Sequence, residues 1–131
     1  MLWGLLVVAG FLFSGWVMKS TIDPLSDMSM ERMMYRSNHI YLLMSGLVVI
    51  VWSQRHIDLS HAVVNWAERV ANSLIITAPL LFGIAFALEA GVADSPRLWT
   101  FWAVIVQFSG VMMSVLLTVF MYIHSRQLER R

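Results

Sequence analysis

Few side chains in this 131-residue chain can do chemistry, and they fall into separate groups. His56 and His124 end two apolar stretches, where imidazoles from neighbouring helices could ligate a haem b or a metal ion near one face of a bundle. Both flank arginines in polar segments, and neither C-x-x-C-H nor H-E-x-x-H occurs, so interface histidines are the preferred reading and no cofactor is expected. Met30, Met33 and Met34, together with Met28 and His39, form the thioether and imidazole set that suits Cu(I). The three methionines also share one stripe of an amphipathic helix, where methionine is a flexible apolar contact, and that account is favoured. Arg32, Arg36 and His39 follow at one-turn spacing beside Tyr35 and Asn38. They are the best set for contacting phosphate, whether of an anionic headgroup or of another anionic ligand.

A further group is uncharged. Gln107, Gly110, Ser114, Thr118 and Tyr122 trace one face of the last apolar stretch, with Gly110 and Ser114 as a small-xxx-small pair. Gly10 with Ser14 and Gly83 with Ala87 repeat that spacing. Small residues let helix backbones approach, so these positions read as helix-packing seams inside a bundle or between protomers. The alternative is a polar cavity around Gln107, shared with Thr77 and Ser45, that holds a small ligand or water and belongs to a small-solute channel or carrier.

What is missing narrows the chemistry. Zero cysteines exclude disulfides, thiolate metal sites, iron-sulfur clusters and a cysteine nucleophile. No G-x-S-x-G, P-loop or paired carboxylates occur, and a net charge of +1 gives no field for nucleic acid. Ionisable groups are absent from the middle of every apolar stretch, which argues against a proton-coupled transporter. Glu89, beside Ala90 and Gly91, is the nearest exception and reads as a solvated helix end.

The elements that position these residues are membrane helices. With 59% apolar and 13% charged residues and a mean hydropathy of +0.71, the usual proportions of a water-soluble domain are inverted. A span needs about 20 mostly apolar residues. Leu2 to Met18, Ala71 to Leu88 and Leu98 to Ile123 contain no Asp, Glu, Lys or Arg. A weaker span over 37–54 has its apolar centre at Ile40 to Trp52, between Arg36 and Arg55, which can snorkel. The expected fold is therefore all-α, a polytopic four-transmembrane-helix up-down bundle in a single domain, 1–131. Trp3, Trp16, Trp52, Trp66, Trp99 and Trp102 fall near the proposed ends, as an interfacial belt would. The first span lacks a basic leader and a small-x-small cleavage site and is expected to stay as a helix.

Amphipathic extensions precede spans two and three. Asp27 is placed to cap a helix beginning near Met28 and running into span two. Asp58 is placed to cap a segment whose Leu59, Ala62, Val63, Trp66, Ala67 and Val70 share a face, with Asn65, Glu68 and Arg69 opposite. That segment either lies in the interface or continues into span three. Pro79 removes a backbone donor within span three and predicts a kink between Ile75 and Pro79. No internal repeat is found.

Four spans put both termini on one side, with Arg55, Arg69, Arg126, Arg130 and Arg131 facing Lys19, Arg32, Arg36 and Arg97 across the membrane. The arginine tail favours cytoplasmic termini, and a chain this small and simple suits a bacterial inner membrane. The expected function is a small non-enzymatic integral membrane protein, an accessory subunit, assembly factor or lipid-associated scaffold, whose partners are membrane lipids and a protein partner or second copy. A haem b or copper redox protein and a small-solute channel or carrier are the alternatives.

Overall fold

The computed structural model describes residues 1–21, 30–54, 62–89 and 96–128; within these, the side chains of 21, 30–32, 34, 62 and 128 are not described. The chain is all-helical: α1 (Leu2–Thr21), α2 (Met30–Ser53), α3 (Ala62–Leu88) and α4 (Leu98–Leu128). Among the described residues three helices are long and apolar enough to cross a membrane, within α1, α3 and α4. α2 does not qualify by composition, because Tyr35, Arg36, Ser37, Asn38 and His39 interrupt its apolar run. The expected caps, Asp27 and Asp58, lie outside the described residues.

Both amphipathic segments join the helix that follows them. α2 runs from its amphipathic first turns into the apolar stretch without a break, and α3 does the same from Ala62. From Ala62 on, the segment before span three is therefore the start of one long helix. α3 also continues through Pro79, which cannot donate to the carbonyl of Ile75. One residue on, the Trp3 indole N–H donates to the Ile76 carbonyl at 3.1 Å, so α1 supplies a donor where the α3 ladder is weakened.

Buried positions recur at alternating steps of three and four residues. On α3 they run Val64, Glu68, Ala71, Ile75, Ala78, Phe82, Ala85 and Glu89, with Pro79 buried beside them; on α4, Thr100, Ala103, Gln107, Gly110 and Ser114. α2 follows with Asn38, Leu42, Ser45 and Val49, Gly46 being buried as well, and α1 with Gly4, Val7 and, a full heptad on, Ser14. This is the heptad spacing that keeps one seam of each helix facing its neighbour in left-handed packing. Contact is most extensive between α3 and α4, then α1 and α2, then α2 and α3.

The core mixes alanines with a few larger residues, Leu42, Ile75 and Phe82 among them, while most large apolar side chains lie on the surface. Ala71, Ala78, Ala85 and Ala103 are fully buried, whereas Leu12, Phe13, Phe108, Leu116 and Phe120 point outward. In water such a surface would aggregate; in lipid, large apolar side chains face the solvent they resemble and small ones let backbones approach. The arrangement is consistent with an integral membrane protein.

Candidate functional site

The most connected polar group lies where α3 ends and α4 begins. α4 starts with four backbone N–H groups that its own turns cannot satisfy. Phe101 N–H donates to the Arg97 carbonyl at 3.0 Å, which makes Arg97 the residue flanking the first turn. Trp99 and Thr100 N–H donate instead to the two carboxylate oxygens of Glu89, at 2.5 and 3.0 Å. The Thr100 hydroxyl donates to the same carboxylate at 2.7 Å. Glu89 is only 3% exposed. The expected solvated helix end is thus corrected: Glu89 is the cap of the next helix, its negative charge held at the positive end of the α4 dipole.

Asn38 ties α2 to this cap. Its amide donates to the Ala85 carbonyl at 3.3 Å, and its oxygen accepts from Arg97 Nη2 at 2.9 Å, with the Thr100 hydroxyl 3.2 Å away. Arg97 Nη2 also reaches the Ser37 hydroxyl at 2.9 Å. Three helices meet on one buried amide, which leaves little rotational freedom at this end. Most donors and acceptors of the group are matched to one another, while Arg97 Nε has no hydrogen-bond partner among the described residues.

A second clasp lies at the other end of α2, where the Trp52 indole N–H donates to Asn72 Oδ1 at 2.5 Å. Near it Glu68 is also buried, at 6% exposure, with Oε2 lacking a hydrogen bond among the described residues. Its expected place on the wet face of the segment is corrected by the heptad register, which carries the inward face of α3 back past Ala71. Trp3 and Trp52 are helix-to-helix donors, while Trp16, Trp66, Trp99 and Trp102 are exposed at helix ends.

His39 is directed at α1. Its ring stacks on Phe11 with centroids 4.0 Å apart, and Nδ1 lies 2.8 Å from the Ser14 hydroxyl, which also donates to the Phe11 carbonyl. Gly15 makes this possible: a Cβ there would sit 3.0 Å from the imidazole. Arg36 is exposed. The side chain of Arg32 lies outside the described residues, as do those of Met30 and Met34 and the whole of Met28, His56 and His61. Met33 is exposed, and His124 stacks on Phe120 at 6.2 Å. No group of three potential metal-ligating histidine or carboxylate side chains occurs among the described residues.

The small residues divide sharply. At Gly110 a Cβ would lie 2.9 Å from Ile75 Cγ1 and 3.1 Å from the Ile75 backbone nitrogen, so α3 and α4 touch there. Ser114, one turn on, is fully buried, and Thr118 donates to its carbonyl. Gly4 and Gly46 are as crowded, against Ile50 and against Val7 and Val8 respectively; neither stood out in the sequence because they form no small-xxx-small pair. Gly10 and Gly83 are open: the nearest atom to a Cβ at Gly10 is 4.0 Å away, and at Gly83 none lies within 4 Å. With Ser14 and Ala87 they line a groove of about 490 Å³ between α1 and α3.

Gln107 stands apart from all of these. It is 9% exposed, and neither its amide nitrogen nor its oxygen has a hydrogen-bond partner among the described residues. It borders a cavity of about 380 Å³ between α2, α3 and α4, together with Ser45 but without Thr77, whose exposed hydroxyl donates to the Ser73 carbonyl. No family model, curated protein or solved structure matches this chain.

Proposed function

We propose that the chain is a small non-enzymatic integral membrane protein that acts by interaction, as an accessory subunit, assembly factor or lipid-associated scaffold. The observation that carries this reading is the groove between α1 and α3, where Gly10, Gly83 and Ala87 leave helix backbone uncovered. In lipid, bare backbone at small residues is the surface another helix packs on most closely. A transmembrane helix of a protein partner or of a second copy is the proposed occupant. Arg36, with Arg32 and the arginine tail, engages anionic headgroups.

Four spans are part of the proposal. Gly4 lies against Ile50 and Gly15 against His39, so α1 and α2 run antiparallel over about 16 Å of shared depth. If α1 crosses a bilayer, α2 crosses beside it, and its polar residues Asn38 and His39 are satisfied by α3, α4 and α1 rather than by water. The topology proposed places both termini in the cytoplasm of a bacterial cell, with the bundle in the inner membrane.

The test is Gly83→Leu in the full chain. It fills the groove without touching a packed contact, so thermal unfolding in mild detergent is expected to stay unchanged while co-purification and in-membrane crosslinking are lost. Association that survives Gly83→Leu and Gly10→Leu together removes the groove as the interface.

A further inference from the structure

α3 carries two seams of the same three-and-four spacing. One runs from Glu68 to Glu89 and is buried against α4 and α2. The other runs through Arg69, Ser73, Ile76, Leu80, Gly83 and Ala87, each of them exposed or half-exposed. α1 answers it across the groove, where Leu6, Gly10, Phe13 and Val17 follow the same spacing and line the same space. Because α1 and α3 both run antiparallel to α2, they are parallel to each other, and the two open seams keep step along the groove. A heptad repeat suits a helix rather than an acyl chain, since a packed helix meets a neighbour at every third or fourth position in turn. From Arg69 to Ala87 the seam is about 27 Å long, which matches the hydrocarbon thickness of a bilayer and so a whole span.

One end of the open seam is charged. Arg69 is exposed, its Nε donates to Asn65 Oδ1 at 3.1 Å, one turn further out, and it forms no ion pair with a carboxylate among the described residues. A helix lying on the seam covers Arg69 and displaces the headgroups and water that solvate it. A charge buried without a partner is strongly unfavourable, so the covering helix has to bring the opposite charge.

We propose that the occupant of the groove is a transmembrane helix of a different protein, carrying an Asp or Glu opposite Arg69, two heptads or about 21 Å from the residue packed over Gly83. The inference rests on the reading of the groove as a helix-docking surface and adds the chemistry of the partner. A second copy does not fit. Copies inserted the same way present the same end to each other, and Glu68, the acid at that end among the described residues, is buried on the occupied seam.

The probe is a leucine-rich transmembrane peptide with an alanine seam, made with Glu, Gln or Lys two heptads from its central alanine and mixed with the full-length chain in phosphatidylcholine vesicles. Energy transfer between labelled peptide and labelled chain is expected to saturate, with the Glu peptide bound about fivefold more tightly than the Gln peptide and the Lys peptide bound most weakly. Arg69→Gln, at an exposed position that leaves the buried seam intact, should erase the ranking, and Arg69→Glu should reverse it in favour of the Lys peptide. The comparison of the three peptides on the unaltered chain requires no variant at all. Equal binding of the Glu and Gln peptides, both lost on Gly83→Leu, overturns the carboxylate and leaves the groove standing. Binding that survives Gly83→Leu and Gly10→Leu together overturns the groove and this inference with it. A preference for Glu that vanishes when phosphatidylglycerol is added also overturns the inference, because Arg69 then answers to lipid headgroups rather than to a helix.

Discussion

Two places in this molecule carry the same sequence signal and opposite structures. Gly110 and Ser114 on α4 are closed against α3, whereas Gly83 and Ala87 on α3 face an open groove beside α1. Both pairs are small residues four apart in an apolar helix. The difference lies in which face of α3 they occupy. Its heptad face, Ala71 through Ala85, is taken by α4 and α2, and Gly83 lies off that face. Small-xxx-small spacing therefore marks backbone that can be approached closely, and the register of the neighbouring helix decides whether it has been.

The contrast can be broken by adding volume. Gly110→Leu is expected to have the largest effect, a destabilisation of about 3 kcal/mol, because a side chain there meets α3 backbone that cannot move aside alone. Detergent unfolding monitored by circular dichroism reads this directly, and an unchanged midpoint would mean that α3 and α4 are not closed at Gly110. Next comes Glu89→Ala, at about 2 kcal/mol, since two α4 N–H groups and the Thr100 hydroxyl lose their acceptor. Hydrogen exchange should quicken at the amides of Trp99 and Thr100 while the centre of α3 keeps its protection. Glu89→Gln, retaining one acceptor oxygen, is expected to cost about half as much.

Smaller changes sharpen the comparison. Trp3→Phe removes the donor to the Ile76 carbonyl and is expected to cost about 1 kcal/mol, with the loss localised to the region of Pro79 in an exchange experiment. Gly83→Ala should be neutral or stabilising by up to about 1 kcal/mol, since alanine favours the helix and its methyl group meets nothing. Gly110→Ala should be destabilising. Equal signs for these two alanine variants would remove the distinction between the closed seam and the open groove.

Much of the fold is legible from residue types. The apolar runs mark α1, α3 and α4, and the amphipathic approach to α2 merges with its apolar centre as the spacing predicts. The candidate site is only partly legible. Gln107 stands out as an amide in an apolar run and borders the same cavity as Ser45, but the walls of that cavity are apolar rather than polar, and Thr77 turns away to bond its own helix. Asn38, Thr100, Arg97 and Asn72 give no local signal, because their roles depend on partners ten to sixty positions away in the chain. Glu89 and Glu68 did leave a trace. Both fall on the three-and-four repeat that runs through Ala71, Ile75, Ala78, Phe82 and Ala85, and a seam extended to its ends would have placed both acids inward.

The sequence by itself determined that the chain is helical and apolar, because hydropathy and the helical repeat are properties of single segments that need no partner. It also determined which residues are small or polar enough to be unusual there. Only the tertiary structure decided what those residues do. Whether a glycine is covered, a carboxylate caps a distant helix, or an amide is buried without a hydrogen-bond partner among the described residues depends on interhelical register, and register is set by many weak contacts at once.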